Sequence, residues 1–261
     1  MNVFDKFSGF LKSYFIYYIL PFYMLPFRRR RMKALYGIFL KPGSLAFDIG
    51  SHLGNRIRAF AGLGARVVAL EPASESYRFI RKRYGSRENI TCVHGAAGTY
   101  DGTAVLYKDP KNPTLSTVSP SWMNRMKTKR SFRNVAWREK EQVPMITLDG
   151  LIGKYGTPDF CKIDTEGTED QVLAGCSEPL PAVSFEYLPM EKETALRCLR
   201  HLEQLGRYRY NVSVRETMRF RWADWAGGDE ISRYLDGLTE DAPSGDVYAV
   251  RQGGGKNESE D

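Results

Sequence analysis

Short apolar runs alternate with stretches of helical character between residues 44 and 250. Residues 44–49, 66–70, 90–93, 159–164 and 182–187 are aliphatic or β-branched runs of strand length, and 208–214 and 247–250 close the series. Residues 56–63, 74–84, 148–155, 169–174 and 191–205 have helical character between them, with Ser74 placed as an N-cap. Residues 103–107 alternate and predict one extra strand. Strand–helix alternation sustained in this way predicts a doubly wound, mostly parallel α/β sheet.

Three segments stand outside that rhythm. Residues 109–142 show no clear period and carry Lys127, Lys129, Arg130, Arg133 and Arg138 among Trp122, Phe132 and Trp137. An insertion of that length in a compact α/β domain is usually a lid or binding loop. From Phe10 to Phe27 the chain is aromatic and aliphatic, broken by Lys12, Ser13, Pro21 and Pro26, and the cluster Arg28, Arg29, Arg30, Arg31 and Lys33 follows at once. A signal peptide carries its charge before the apolar part, the reverse of this order. Three readings of the segment compete. It docks on the domain as a helix, it touches anionic lipid peripherally through residues 10–31, or it spans the membrane despite two prolines. The Gly-rich, then charged, end reads as a disordered tail. The organisation expected is therefore an N-terminal aromatic and basic segment over 1–40, a domain over 41–252 that holds the 109–142 insertion, and a tail over 253–261.

Composition narrows the class without naming a function. Of 261 residues, 42% are hydrophobic and 26% charged, which excludes wholesale disorder. A mean hydropathy of -0.42 excludes a polytopic membrane protein. The net charge of +7 is concentrated in part at Arg28–Lys33, so it permits anionic partners without demanding them. Cys92, Cys161, Cys176 and Cys198 form no CxxC pair, and a chain this long with so few cysteines reads as a reduced, cytoplasmic protein, with residues 10–31 the candidate contact at the inner face of a membrane.

The chemistry begins where the first strand turns into the first helix, at Phe47-Asp48-Ile49-Gly50-Ser51-His52-Leu53-Gly54. Ligands of open α/β sheets bind at such carboxyl ends. A dinucleotide loop has a middle glycine that lets the backbone approach a pyrophosphate, and His52 occupies that place here. Asp48 would oppose a pyrophosphate, whereas it suits a cationic nucleoside ligand such as S-adenosylmethionine. Glu71 ends the second strand at the spacing of a carboxylate that accepts ribose hydroxyls. In Phe160-Cys161-Lys162-Ile163-Asp164-Thr165-Glu166-Gly167, strand alternation places Lys162 and Asp164 on one face. Lys162 is a structural partner of Asp164 or Glu186, or a functional group; Asp164, at the strand end, is the candidate for chemistry. No cluster of metal ligands stands out in the sequence, so no metal is expected.

Together, the Asp48–Gly54 loop, Glu71-Pro72, and Lys162-Ile163-Asp164-Thr165-Glu166-Gly167-Thr168-Glu169 resemble the FkbM-type S-adenosylmethionine-dependent methyltransferases over roughly residues 40–250. His94-Gly95-Ala96-Ala97-Gly98 is similar to the family's third-strand end near the adenine, and residues 112–117 to a polar stretch laid over the pocket. Thr165 and Thr168 depart mildly from the family pattern. The resemblance implies a Rossmann-like class I methyltransferase fold with a seven-stranded sheet and an antiparallel last strand. It implies S-adenosylmethionine held by Asp48, Gly50, Ser51, His52, Gly54, Glu71, Gly95 and Ala96. It also implies methyl transfer to a hydroxyl of a small-molecule, sugar or glycan acceptor, with Asp164 and then Glu186 as the carboxylates that orient or deprotonate it. His52 and His94 are further candidates for that base. Other readings stay open: an RNA or protein methyltransferase using the basic insertion, or a non-catalytic interaction protein on the same fold. Acceptor and oligomeric state are not readable from the sequence.

Overall fold

The computed structural model describes residues 26–253, so the aromatic segment before Pro26 and the tail after Gly253 lie outside it. The elements in chain order are α1 (Pro26–Tyr36), β1 (Leu45–Ile49), α2 (Asn55–Ala61), β2 (Arg66–Glu71), α3 (Ser74–Tyr84), β3 (Ile90–His94), β4 (Ala96–Ala97), β5 (Gly102–Lys108), α4 (Pro120–Met126), β6 (Glu139–Ile146), α5 (Leu148–Tyr155), β7 (Phe160–Ile163), α6 (Glu169–Ala174), β8 (Ala182–Tyr187), α7 (Lys192–Leu205), β9 (Tyr208–Val214), α8 (Gly228–Asp236) and β10 (Gly245–Arg251). The main sheet runs β3-β2-β1-β7-β8-β10-β9, and β10 is antiparallel to both neighbours. The strand order reverses between β1 and β7, the place where such sheets open a crevice.

Every residue of β1 and β7 is buried, because helices cover both faces of the sheet. One face packs against α1, α2 and α3 through Tyr36, Phe60, Ile80 and Tyr84. Phe160 from β7 sits among Tyr36, Phe39 and Phe60, with Phe39 stacked on it at 4.7 Å between ring centroids. The other face packs against α5, α6, α7 and α8. On α7 the buried residues Ala195, Cys198, Leu199 and Leu202 recur at three and four positions, so one stripe of the helix reaches the core. Each fully buried leucine of that stripe contributes about 1.5–3 kcal/mol.

Two local expectations are corrected. Ser74 is the first helical residue of α3 rather than its cap; Ala73 holds the cap position and the Ser74 hydroxyl donates to Glu141. The aperiodic stretch ends at Arg138, because Glu139–Ile146 forms β6 between β4 and β5 in a separate small sheet. A charged run with an alternating exposed face reads as loop until its partner strand is known. The insertion itself is ordered by Asp109, whose carboxylate accepts from Lys111 N at 2.9 Å, Asn112 Nδ2 at 2.8 Å and Ala136 N at 2.9 Å, tying its two ends together. Within it, Ser119 caps α4 by accepting from Trp122 N, and Trp122, Met123, Met126 and Trp137 form a small core of their own.

Candidate active site

The cleft lies at the carboxyl ends of β1, β2 and β7 and encloses about 1200 Å³ including its open mouth. Gly50 has a φ of 81°, and a Cβ there would stand 1.8 Å from the Asp164 carbonyl oxygen. Only glycine therefore lets the first loop lie against the end of β7. His52 follows at a φ of 47°, a conformation that costs a non-glycine residue energy and is often found at functional sites. Its backbone N–H donates to Glu71 Oε2 at 2.7 Å, and Ala73 N donates to Glu71 Oε1 at 2.9 Å. Glu71 is thus fixed in orientation, with lone pairs left for a ligand.

The residues expected to hold the nucleoside are largely brought together. Asp48, Gly50, Ser51, His52, Glu71, Gly95 and Ala96 all line the cleft. Gly54 does not; at a φ of 82° it starts α2 and packs against Tyr84. Residues Pro113, Thr114, Ser116, Thr117 and Val118 of the insertion form another wall. Asp48 Oδ2 is enclosed and has no hydrogen-bond partner among the described residues. A ligand that brings a donor to this atom completes it, and the ammonium of S-adenosylmethionine is such a donor. The residues present therefore fit that cofactor.

Burial sets the electrostatics of this wall. It pushes the Asp48 carboxyl up to about 6, against the pull of Arg56 and Lys162. It pushes Glu71 up to about 7, because the N–H donors of Ala73 and His52 offset only part of the lost hydration. Burial moves the His52 imidazole the other way, down to about 4, so the ring is neutral at physiological pH. Folded values raised in this way favour the protein in acid. Their contribution is complete below the unfolded values near 4 and is lost as pH rises through about 6 and then about 7. For the ligand-free protein, the Asp48→Asn/Glu71→Gln variant should therefore gain on the parent as pH rises from about 4.5 to 7.5, on the order of 3 kcal/mol for each group. Denaturant unfolding across that range measures it, and parallel stability profiles of the two proteins would refute the assignment.

On the β7 side, Lys162 is wholly buried. Its ammonium lies 2.9 Å from Asp246 Oδ1 and 3.3 Å from Asp164 Oδ2, and donates to the Ile163 carbonyl. Burial alone would lower its pKa, yet Asp164 and Asp246 more than offset that and raise it. The ion pair expected with Asp164 is present, while the second partner is Asp246 on β10 rather than Glu186. Asp164, Glu166 and Glu186 bring carboxylate oxygens within 4.8 Å of one another. The absence of clustered ligands inferred from the sequence is thus corrected: the ends of β7 and β8 converge, which spacing along the chain does not reveal. Burial first, then the neighbouring carboxylates, raises both Glu166 and Glu186 well above the usual carboxylate range. Glu166 faces the cleft at a φ of 53°, and Glu169 does the capping instead, accepting from Thr165 N and Gly167 N.

Sequence reasoning missed Arg56, Glu216 and Asp246. Arg56 lines the cleft, donating through Nε to Tyr36 Oη at 3.2 Å and through Nη2 to Glu216 at 3.1 Å. Glu216 sits in a turn where Arg215 and Met218 both have positive φ. Trp122 and Trp137 of the basic insertion are buried, so they offer no face to a stacked base. No helix among the described residues is long and apolar enough to cross a membrane.

A family profile described as the methyltransferase FkbM domain matches residues 48–221. Comparison with curated proteins returns no match. Among solved structures, the chain is similar to a precorrin-6y C5,15-methyltransferase from Geobacter metallireducens GS-15, at 12% identity over 85% of this chain and 87% of that one, with a TM-score of 0.46. It is also similar to an O-methyltransferase from Bacillus cereus in complex with SAH (12% identity, 88% and 82%, TM-score 0.45). An rRNA methylase from Streptococcus thermophilus is a further likeness (11% identity, 84% and 93%, TM-score 0.41).

Proposed function

The chain belongs to the FkbM methyltransferase family, with S-adenosylmethionine as methyl donor, and on that premise we propose that it methylates a hydroxyl oxygen of a small-molecule, sugar or glycan acceptor. The observation that carries this reading is Asp164. It stands at the end of β7 inside the cleft, backed by the Lys162 ammonium, with Gly50 pressed against its carbonyl.

Asp48, Glu71, Gly95 and Ala96 would hold the cofactor, with Glu71 on the ribose hydroxyls and Asp48 on the ammonium. What the cofactor supplies when bound is an electrophilic methyl on a sulfonium. The chain's own work is then positioning and proton handling. An acceptor hydroxyl is a weak nucleophile, and a carboxylate that takes its proton raises its reactivity. Asp164 is that carboxylate, and Glu166 and Glu186, held protonated, donate hydrogen bonds that orient the acceptor. The wall formed by 113–118 restricts the approach direction, which is what in-line transfer requires. Asp164, the ionised member of the acid cluster, disfavours an anionic acceptor, and the two protonated acids offer hydrogen bonds to a neutral polyhydroxylated one.

Arg56 completes the cofactor subsite in this reading. Among the cations that line the cleft, Lys162 is committed to two aspartates, so Arg56 is left for the cofactor's carboxylate, in exchange for Glu216. Calorimetric titration tests the whole arrangement. S-adenosylmethionine and S-adenosylhomocysteine should bind and NAD should not. Glu71→Ala should weaken S-adenosylhomocysteine about tenfold or more. Arg56→Gln should weaken it by about the same factor while leaving 5′-methylthioadenosine, which lacks the amino-acid part, unchanged. Equal losses for both ligands would move Arg56 out of the carboxylate subsite. No binding of any adenosyl ligand to the folded parent would refute the enzyme reading.

A further inference from the structure

Arg56 is a buried cation whose carboxylate partner reaches in from the surface. Its side chain is 10% exposed, whereas that of Glu216 is 43% exposed. Lys162, the other buried cation of the cleft, is matched instead by a buried aspartate held on β10. Arg56 is the second residue of α2, and its Nε donates to Tyr36 Oη, a wholly buried hydroxyl that burial keeps neutral. Nη2 is the group that meets Glu216, at 3.1 Å and 3.2 Å from the two carboxylate oxygens. Glu216 is delivered by the turn that follows β9, where Arg215 and Met218 on either side of it have φ of 53° and 52°. Positive φ at non-glycine residues persists where the surroundings hold it, and it gathers at ligand clamps and switches. Here Met218 is buried in the core with Tyr36, and Phe220 packs edge-on to Tyr248 at 5.3 Å. Arg215 N donates to the Ser244 carbonyl and Arg221 N to the Val212 carbonyl, both at 2.8 Å. The backbone is pinned on both sides of Glu216, so the freedom to leave Arg56 lies in its side chain.

We propose that Glu216 is an internal competitor for the carboxylate of S-adenosylmethionine. It holds Arg56, swings out when the cofactor's carboxylate arrives, and so sets the affinity of the site. This rests on the reading of Arg56 as the carboxylate subsite. Both residues line the cleft, so the exchange takes place within it. One carboxylate replaces another on the same guanidinium, and the ligand gains only the difference between them. The apparent dissociation constant rises in proportion to the fraction of molecules in which Glu216 holds Arg56. Adenosyl compounds are sorted by the same contact. One that lacks the amino-acid part binds beside the Arg56–Glu216 pair and leaves it intact, whereas one that carries the carboxylate has to displace Glu216. S-adenosylhomocysteine carries that carboxylate too, so the competitor weakens retention of the demethylated product as much as binding of the donor. A purely structural ion pair has the opposite consequence, since its loss would loosen the cleft and weaken every ligand.

Calorimetry and melting of the full chain decide the matter. Glu216→Ala should bind S-adenosylhomocysteine about fivefold or more tightly than the parent, and 5′-methylthioadenosine with the parental constant. In an Arg56→Gln background the same substitution should change neither constant, because Glu216 acts through Arg56. Without ligand the Glu216→Ala variant should melt below the parent, since Arg56 loses its counter-ion. At saturating S-adenosylhomocysteine the two should melt together, because the ligand's carboxylate then holds Arg56 in both. If Glu216→Ala fails to fold, Glu216→Gln, which keeps the size and drops the charge, takes its place. An unchanged or weaker constant for S-adenosylhomocysteine in the folded variant, with the parent binding it, would overturn the proposal and leave the cofactor reading standing. So would equal tightening of 5′-methylthioadenosine, which would mean that the turn blocks the cleft as a whole. A folded parent that binds no adenosyl ligand would overturn both.

Discussion

Asp164→Asn lowers kcat by about 10²–10⁴-fold, the usual share of a general base, and leaves the dissociation constant for S-adenosylhomocysteine near that of the parent. The substitution keeps the shape of the side chain. It removes the charge that accepts the proton, while Lys162 retains Asp246 at 2.9 Å as its counter-ion, so the floor of the cleft stays neutralised. Glu186→Gln should cost less. Burial and its acidic neighbours already hold Glu186 well above the usual carboxylate range, and an amide reproduces the hydrogen-bond donor of a protonated acid. The comparison is made with any hydroxyl acceptor that the parent turns over. A parental rate for Asp164→Asn together with a collapsed rate for Glu186→Gln would exchange the two roles.

Lys162→Ala destabilises the fold by about 3–5 kcal/mol, the cost of leaving a buried charge without its partner. Asp246 is 7% exposed and has Lys162 as its closest cation, so removal of the ammonium strands a carboxylate between β8 and β9. At roughly 2–4 °C per kcal/mol for a chain of this size, the melting temperature falls by about 6–20 °C. Replacing both groups, as Lys162→Met/Asp246→Leu, should recover most of the loss, because an apolar pair of similar volume needs no counter-ion. A single variant that melts with the parent would show that water reaches Asp246 and satisfies it.

The strands were legible because each is a short apolar run, and both faces of this sheet are covered. β8 and β9 fall at the residues expected, as do α5 and α6. The cleft wall was legible for a related reason. Asp48 and Glu71 sit at strand ends, and strand ends in an open α/β sheet point into one crevice. What the sequence concealed is whatever depends on a return of the chain. β10 inserts antiparallel between β8 and β9, and only that placement brings Asp246 to Lys162. Glu216 reaches Arg56 across 160 residues of sequence. The acid cluster needs the ends of β7 and β8 to converge. α8 escaped notice because its buried apolar stripe, Ile231 and Leu235, is two residues long. β6 escaped because Glu139, Lys140 and Glu141 read as a solvated loop, although Glu141 is tied to Lys108 at 2.9 Å on the adjacent strand.

The contact between the insertion and the β7 loop limits how this enzyme can be altered. Thr117 Oγ1 donates to the Glu166 carbonyl at 2.8 Å, and a Cβ on Gly167 would stand 2.0 Å from Trp122 Cδ1. The cover over the cleft is therefore keyed into the segment that carries the acids, and on the proposed reading this cover selects the acceptor. A chimera that takes residues 109–138 from a relative with a different acceptor, and leaves Gly167 and its neighbours behind, inherits the new pocket shape with a misplaced Glu166. Retargeting by transplant has to move the two segments as one cassette, and natural divergence in acceptor choice should show them changing together.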